Sequence, residues 1–360
     1  MQKENEDTSS SPPHLLMPSE VSRQKNGEPE QPLIEPPSVK LIVRLFLIPA
    51  IIVALAVGVM FLIGRLAGSP PTFEEALSGL KSEGGERTAD WLIGPGAKQR
   101  YLYAQTLTDQ MKQGMSESER IETADKLIDL LNQYVHPEEG QVQNFVLLAL
   151  GRVWQGAKDP SAAAIESQHK VMQTLERFAG SENLTARKAA ILAMCFMAGS
   201  GEAKSLEPVL VAKLLDGKED LDVRMAAATA LGPIASPGDA DVIDALHKGM
   251  NDTEPEHKEL VWDSALSLAQ LNQADVADTI LMLLNRDELD KLEVMDRETD
   301  PKNPAFRPLN EQEKLRILIN TMIGAQHLKV DSVQAKIRDL AKNDPSPRVR
   351  AEGVEILQSK

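Results

Sequence analysis

The sequence holds one cysteine in 360 residues, and aromatic side chains make up only 4% of it. A lone thiol, Cys195, excludes an intramolecular disulfide and leaves the redox compartment open. It sits in the apolar run from Ala189 to Ala198, where a helix face and a core position are expected. Scarce aromatics, with Leu and Ala dominating the apolar set, point away from sheet cores and toward packed helices. A basic excess is also missing: 39 Lys and Arg stand against 54 Asp and Glu. Residues 1–65 account for six and seven of these, so the remainder carries 33 against 47, a net of −14. A body of that charge repels phosphate backbones, which argues against nucleic acid as a partner.

Catalytic and metal-binding patterns are absent too. The six histidines, at positions 14, 136, 169, 247, 257 and 327, include no helix-spaced ligand pair, and there is no H-E-x-x-H and no cysteine cluster. The stretch Gly199 to Ser205 resembles the end of a phosphate-binding loop. However, Ala203 precedes Lys204, and the stretch follows a helix where a strand is required. No serine has a nucleophile-elbow context, and no carboxylate pair stands apart from the solvated helix faces. No catalytic residue, metal or cofactor is therefore assigned. Trp91, Trp154 and Trp262 are expected in the core or between helices, with an anchor for a partner as the lesser alternative.

What is present divides the chain into five stretches. Residues 1–40 form a Pro-rich tail with seven prolines before position 40, a composition expected to be disordered. Residues 41–66 contain nineteen consecutive apolar residues, Leu45 to Ile63. At ~1.5 Å per residue such a helix covers roughly 28 Å, the thickness of a bilayer's hydrocarbon core. A transmembrane helix is expected here. A cleaved signal peptide is the competing reading, set against a longer apolar stretch and the forty residues that precede it. Arg23, Lys25, Lys40 and Arg44 before the span, against Arg65 and Lys81 after it, favour a cytoplasmic tail and an extracytoplasmic, periplasmic body. Ala50, Ala54 and Gly58 form a small-residue line through which two copies of the span would associate. Residues 67–72 are a linker, and 73–137 read as an N-terminal helical capping region that includes a capped helix from Ser116 to Tyr134.

From 138 to 360 the chain repeats itself. The clearest unit is Asp220 to Ile234, DLDVRMAAATALGPI, with Val223, Ala227, Ala228, Leu231 and Ile234 on one helical face. Similar units contain Arg187 with Ala190 and Met194, and Arg350 with Gly353, Val354 and Leu357. Gln143 and Val261 occupy the arginine's place in two more. Positions 143, 187, 224 and 261 lie 44, 37 and 37 residues apart, the length of a two-helix repeat. Second helices are expected at Ser205–Asp216, Asp239–Met250, Asp275–Asn285 and Asp331–Lys342. Small residues would admit the next repeat's backbone, and no repeat can bury its apolar face alone.

These residues, Asp222, Val223, Arg224, Ala227, Ala228, Ala230, Leu231 and Gly232 above all, resemble the PBS-lyase-like variety of the HEAT-repeat family, here in a membrane-anchored, bacterial type of protein. The resemblance implies an all-α fold, an α-solenoid of stacked helix pairs. It also implies that Asp222, Arg224, Arg187 and Arg350 hold adjacent repeats together. One departure stands out: RDELDKLEVMDRETDPKNPAFRPL, a charged loop insertion at about 286–310. Insertions in repeat arrays often mark the binding face, which makes Arg286, Asp287, Glu288, Asp290, Phe306 and Arg307 candidates for partner contact. A solvated loop without a role remains the alternative. The expected function is a membrane-tethered scaffold for an unidentified protein partner, its contacts made by acidic and apolar side chains of the second helices. The alternatives are a self-associating envelope protein and, against the charge argument, an enzyme of the lyase or base-excision type.

Overall fold

The computed structural model describes residues 71–81, 95–111, 115–133, 135–136, 139–157, 160–200, 202–296 and 305–358. The chain divides into two units after Ser69, and all described residues belong to the second, Pro70–Lys360. The tail, the expected span, Trp91 and the Ala50, Ala54, Gly58 line lie outside the described residues. Among the described residues no helix is long and apolar enough to cross a membrane.

The second unit is built of α-helices. These are α1 (Phe73–Lys81), α2 (Pro95–Asp109), α3 (Glu117–Gln133), α4 (Gly140–Arg152), α5 (Ala162–Ala179), α6 (Leu184–Phe196), α7 (Glu207–Leu215) and α8 (Leu221–Ile234). They continue with α9 (Ala240–Met250), α10 (Lys258–Gln270), α11 (Ala277–Leu283), α12 (Arg286–Leu289), α13 (Glu311–Gly324), α14 (Asp331–Asn343) and α15 (Pro347–Gln358). Starts are set locally: the side chains of Ser161, Asn183, Asp220, Asn285 and Asn310 each accept a hydrogen bond from a backbone N–H of the first turn. Asn310 and Glu313 complete a reciprocal capping box.

The helices form two layers. In one, α2, α4, α6, α8, α10, α13 and α15 pack in that order, each against the next; in the other, α1 meets α3, α3 meets α5, α7 meets α9, and α11 meets α14. The buried residues of α6 include Ala186, Ala189, Ala190 and Ala193 beside Ile191 and Met194, and those of α8 include Ala226, Ala227, Ala228, Ala230 and Gly232 beside Val223, Leu231 and Ile234. Backbones therefore approach closely, and Leu and Met from neighbouring helices fill the space between the layers. Cys195 is half-buried at the edge of this core instead of enclosed in it.

The insertion departs from the expected loop. It holds the single turn α12 and two three-residue strands, β1 (Glu293–Met295) and β2 (Phe306–Pro308), paired antiparallel with Val294 opposite Arg307. Val294 is buried, which gives the ladder an inner face, and Leu289 and Leu309 anchor its two ends in the core. The helix after it, α13, takes the place of a further first-layer helix.

Candidate functional site

The residues expected to hold adjacent helix pairs together do not bond to one another; each reaches a different neighbour. Arg224 donates from Nε to the Leu214 carbonyl (3.1 Å) and from Nη2 to Asp252 (3.2 Å), in the turn that leads to α10. Arg187 donates to Ser181 O at 2.7 Å and to Glu219 at 2.9 Å, just ahead of α8. Asp222 points the other way and accepts from Lys188 of α6 at 2.5 Å. Arg350 binds the Asp344 and Pro345 carbonyls. Arg100 repeats the arrangement near the N-terminus, donating to Leu80 O at 2.9 Å and to Glu139 at 2.6 and 3.0 Å.

The second layer has its own inter-pair links: His169 to Glu202, Lys204 to Asp239 and His247 to Asp275. His257 meets Asp252 at 2.9 Å, beside Arg224. Among the described residues no three His, Cys, Asp or Glu side chains are grouped to hold a metal ion. Burial pushes the Cys195 thiol up, away from the reactive thiolate.

The six candidates in the insertion separate. Arg286 turns inward and grips Asp344 with two hydrogen bonds, 2.7 and 2.8 Å. Asp287 supplies a capping N–H to Asn285, Glu288 pairs locally with Lys291, and Asp290 holds Lys314. Phe306 lies half-buried with the Lys258 ammonium 5.7 Å from its ring centre. Of the six, only Arg307 lines a cleft of about 1040 Å³.

Four first-layer helices floor that cleft with the same face. Asp222, Met225, Ala226 and Thr229 of α8 recur on α10 as Glu259, Trp262, Asp263 and Leu266, and on α13 as Glu313, Arg316, Ile317 and Asn320. Each set follows the i, i+3, i+4, i+7 spacing of one helix stripe. Lys188 and Leu192 continue the rows onto α6, and the β1–β2 hairpin forms a wall with Val294, Met295, Asp296, Arg307, Pro308 and Leu309. The floor is built by first-layer helices, whereas the sequence points to contacts from the second helices; of the floor residues it offers only Trp262, as the lesser alternative to a core role, for anchoring a partner. The available signal was positional: Lys188, Met225 and Trp262 each follow the repeat's arginine position by one residue.

Charge in the cleft is layered. Arg307 donates to both oxygens of Glu313 at 2.8 and 2.7 Å. These bonds, with the Asn310 amide and the charges of Arg307 and Arg316, outweigh burial and hold Glu313 at about 2. Glu313 in turn, helped by nearby Asp296 and Glu259, raises Arg307 further above its usual range. Arg316 is exposed, and among the described residues no hydrogen bond or ion pair engages its guanidinium.

A pH prediction follows from Glu313. Its folded value lies below its ordinary 4.5, so its contribution is complete above that value and disappears as the pH falls toward about 2. Hydrogen–deuterium exchange read by mass spectrometry and corrected for intrinsic rates should show the paired strands, Glu293–Met295 and Phe306–Pro308, protected at pH 6 and progressively open below pH ~4.5. Glu313→Gln should be open already at pH 6, and a hairpin equally protected in both proteins would refute the role of this pair.

No protein-family model matches the sequence, and no curated protein matches it.

Proposed function

We propose that the protein is a membrane-tethered scaffold that holds a protein partner, its body an α-solenoid of HEAT-like helix pairs and its anchor the apolar segment Leu45 to Ile63. The observation that carries this reading is the cleft: one stripe repeated on successive first-layer helices, closed on one side by the hairpin of the insertion. Stacked pairs offer an extended surface of this kind, and a hairpin on its edge gives that surface a defined end. Arg187, Arg224, Asp222 and Arg350 serve stacking, while Arg307 faces the partner. The basic residues ahead of the span place the body outside the cytoplasm, and its net charge of −14 keeps nucleic acid away.

The test uses the tagged full-length chain in gentle detergent beside a twin in which residues 293–308 are replaced by a short Gly/Ser turn. Arg286 is retained in the twin because it binds Asp344 from outside the cleft. A partner identified by mass spectrometry should accompany the full chain from the membrane fraction and be lost from the twin, with equal helix content in both. If neither holds a partner and the full chain elutes as a defined oligomer, the scaffold reading gives way to self-association through Ala50, Ala54 and Gly58.

A further inference from the structure

The cleft's dimensions and charge narrow what it accepts. At about 1040 Å³ it is at or beyond the upper end of small-molecule sites, roughly 300–1,000 Å³. Its floor crosses four helices, and at about 8–10 Å between axes the three intervals span roughly 27 Å. An extended chain rising ~3.3 Å per residue covers that distance with about eight residues. The centre of the floor is apolar, with Met225, Trp262, Leu266 and Ile317.

Short polar side chains flank this strip. Thr229 is exposed and donates its hydroxyl to Met225 O, so its lone pairs remain available to accept. Asn320 is exposed, and among the described residues no partner engages its amide. Donor and acceptor groups in this position suit a peptide whose own N–H and C=O groups are unpaired, as in an extended chain and not in a helix.

Charge decides the side chains. Among the described residues, and including groups already paired, the lining carries Asp222, Glu259, Asp263, Asp296 and Glu313 against Lys188, Arg307 and Arg316. Asp222 and Glu259 sit in the first turns of their helices. An acidic segment would enter against this field and against the net charge of the body; a basic one would be drawn in.

We propose that the cleft binds an extended partner segment of about eight residues in which lysine or arginine alternates with an apolar residue that rests on Met225 and Leu266, both half-buried. The basic side chains lie along the α8–α10 rim, and Arg316 marks the end where they are no longer favoured. This inference rests on the scaffold reading.

The experiment uses the full-length chain in zwitterionic nanodiscs and a degenerate nonapeptide library scanned position by position, with empty nanodiscs as the blank. Lysine or arginine should be enriched at least tenfold over aspartate or glutamate at two or more positions. The preference should collapse in Glu259→Gln/Asp263→Asn, fall in Thr229→Lys, a surface change that leaves the fold intact, and grow in Arg316→Gln. Enrichment of acidic residues, no preference, or a weaker basic preference in Arg316→Gln would overturn the proposal.

A photo-crosslinking residue at position 229 in cells separates this failure from failure of the scaffold reading. A crosslinked protein without basic selection in the library leaves a scaffold with a different ligand chemistry. No crosslink together with no selection removes both.

Discussion

Arg286→Ala should lower the unfolding free energy of the helical body by about 3 kcal/mol, the cost of leaving a buried ion-pair partner alone. Asp344, the acid it grips, is enclosed, with a side chain only 1% exposed. The rows of the cleft explain why Arg286 is there. Arg316 of α13 stands in the row of Met225, so Leu315 occupies the position that Arg224 has on α8. The α13 pair therefore lacks the arginine that would reach the acid ahead of the next first-layer helix. Arg286 supplies the missing cation from the start of the insertion.

The same substitution should reverse a pH dependence. Burial pushes the Asp344 carboxyl up, but hydrogen bonds from Arg286 and from the Ser346 amide, with the charges of Arg286 and Arg350, hold it below its usual 3.8. A depressed value means that this stabilisation is complete above 3.8 and is lost as the pH falls through the folded value. Without Arg286 the burial effect dominates, the folded value rises above the unfolded one, and stability falls as the pH climbs through it. Denaturation in urea from pH 3 to pH 7 reads both effects. Arg286→Lys should recover only part of the loss because an ammonium cannot make the paired contact. Arg286→Ala/Asp344→Asn should recover more than Arg286→Ala alone shows, since it removes the stranded charge. An Arg286→Ala protein as stable as the parent across this range would show that the Asp344 link is not what secures the last pairs.

Much of the architecture was legible because its signals are local. The spacing of positions 143, 187, 224 and 261 located α4, α6, α8 and α10, and capping residues, Asn183 and Asp220, begin two of them. The helix α13, with its Asn310 and Glu313 capping box, was not read from the sequence, because Leu315 in the arginine position hid its kinship with the other helices. The hairpin was not legible, since three-residue strands show too little alternation to separate from a charged loop. The pairing of Arg286 with Asp344 spans 58 residues, and no spacing rule reaches that far. The cleft floor lay in register all along, but Lys188, Met225, Trp262 and Arg316 share no chemistry. Only the stacking of their helices makes one surface of them, so an insertion that looked like the binding element contributes mainly a wall.

Gly151→Ala should also be costly, although alanine is the better helix former by about 1 kcal/mol. A Cβ added at Gly151 would lie 2.3 Å from the Ala193 carbonyl oxygen and 2.9 Å from that residue's Cα and C. The obstacle is backbone, which cannot rotate aside, so α4 and α6 must separate. Overpacking of this kind costs roughly 1–3 kcal/mol, and with no flexible side chain to yield, the net loss should be about 2 kcal/mol after the propensity gain. Gly238 supplies the control. It is exposed, nothing lies within 4 Å of its added Cβ, and its backbone is not in the left-handed region, so Gly238→Ala should be neutral or stabilising by about 0.5 kcal/mol. The two changes are chemically identical, and urea denaturation should give them opposite signs. The effect should also reach the cleft. Ala193 adjoins Leu192, so a shift of α6 moves the end of the floor and should weaken whatever binds there. A Gly151→Ala protein of unchanged stability would mean that close backbone contact does not set the interval between these helices.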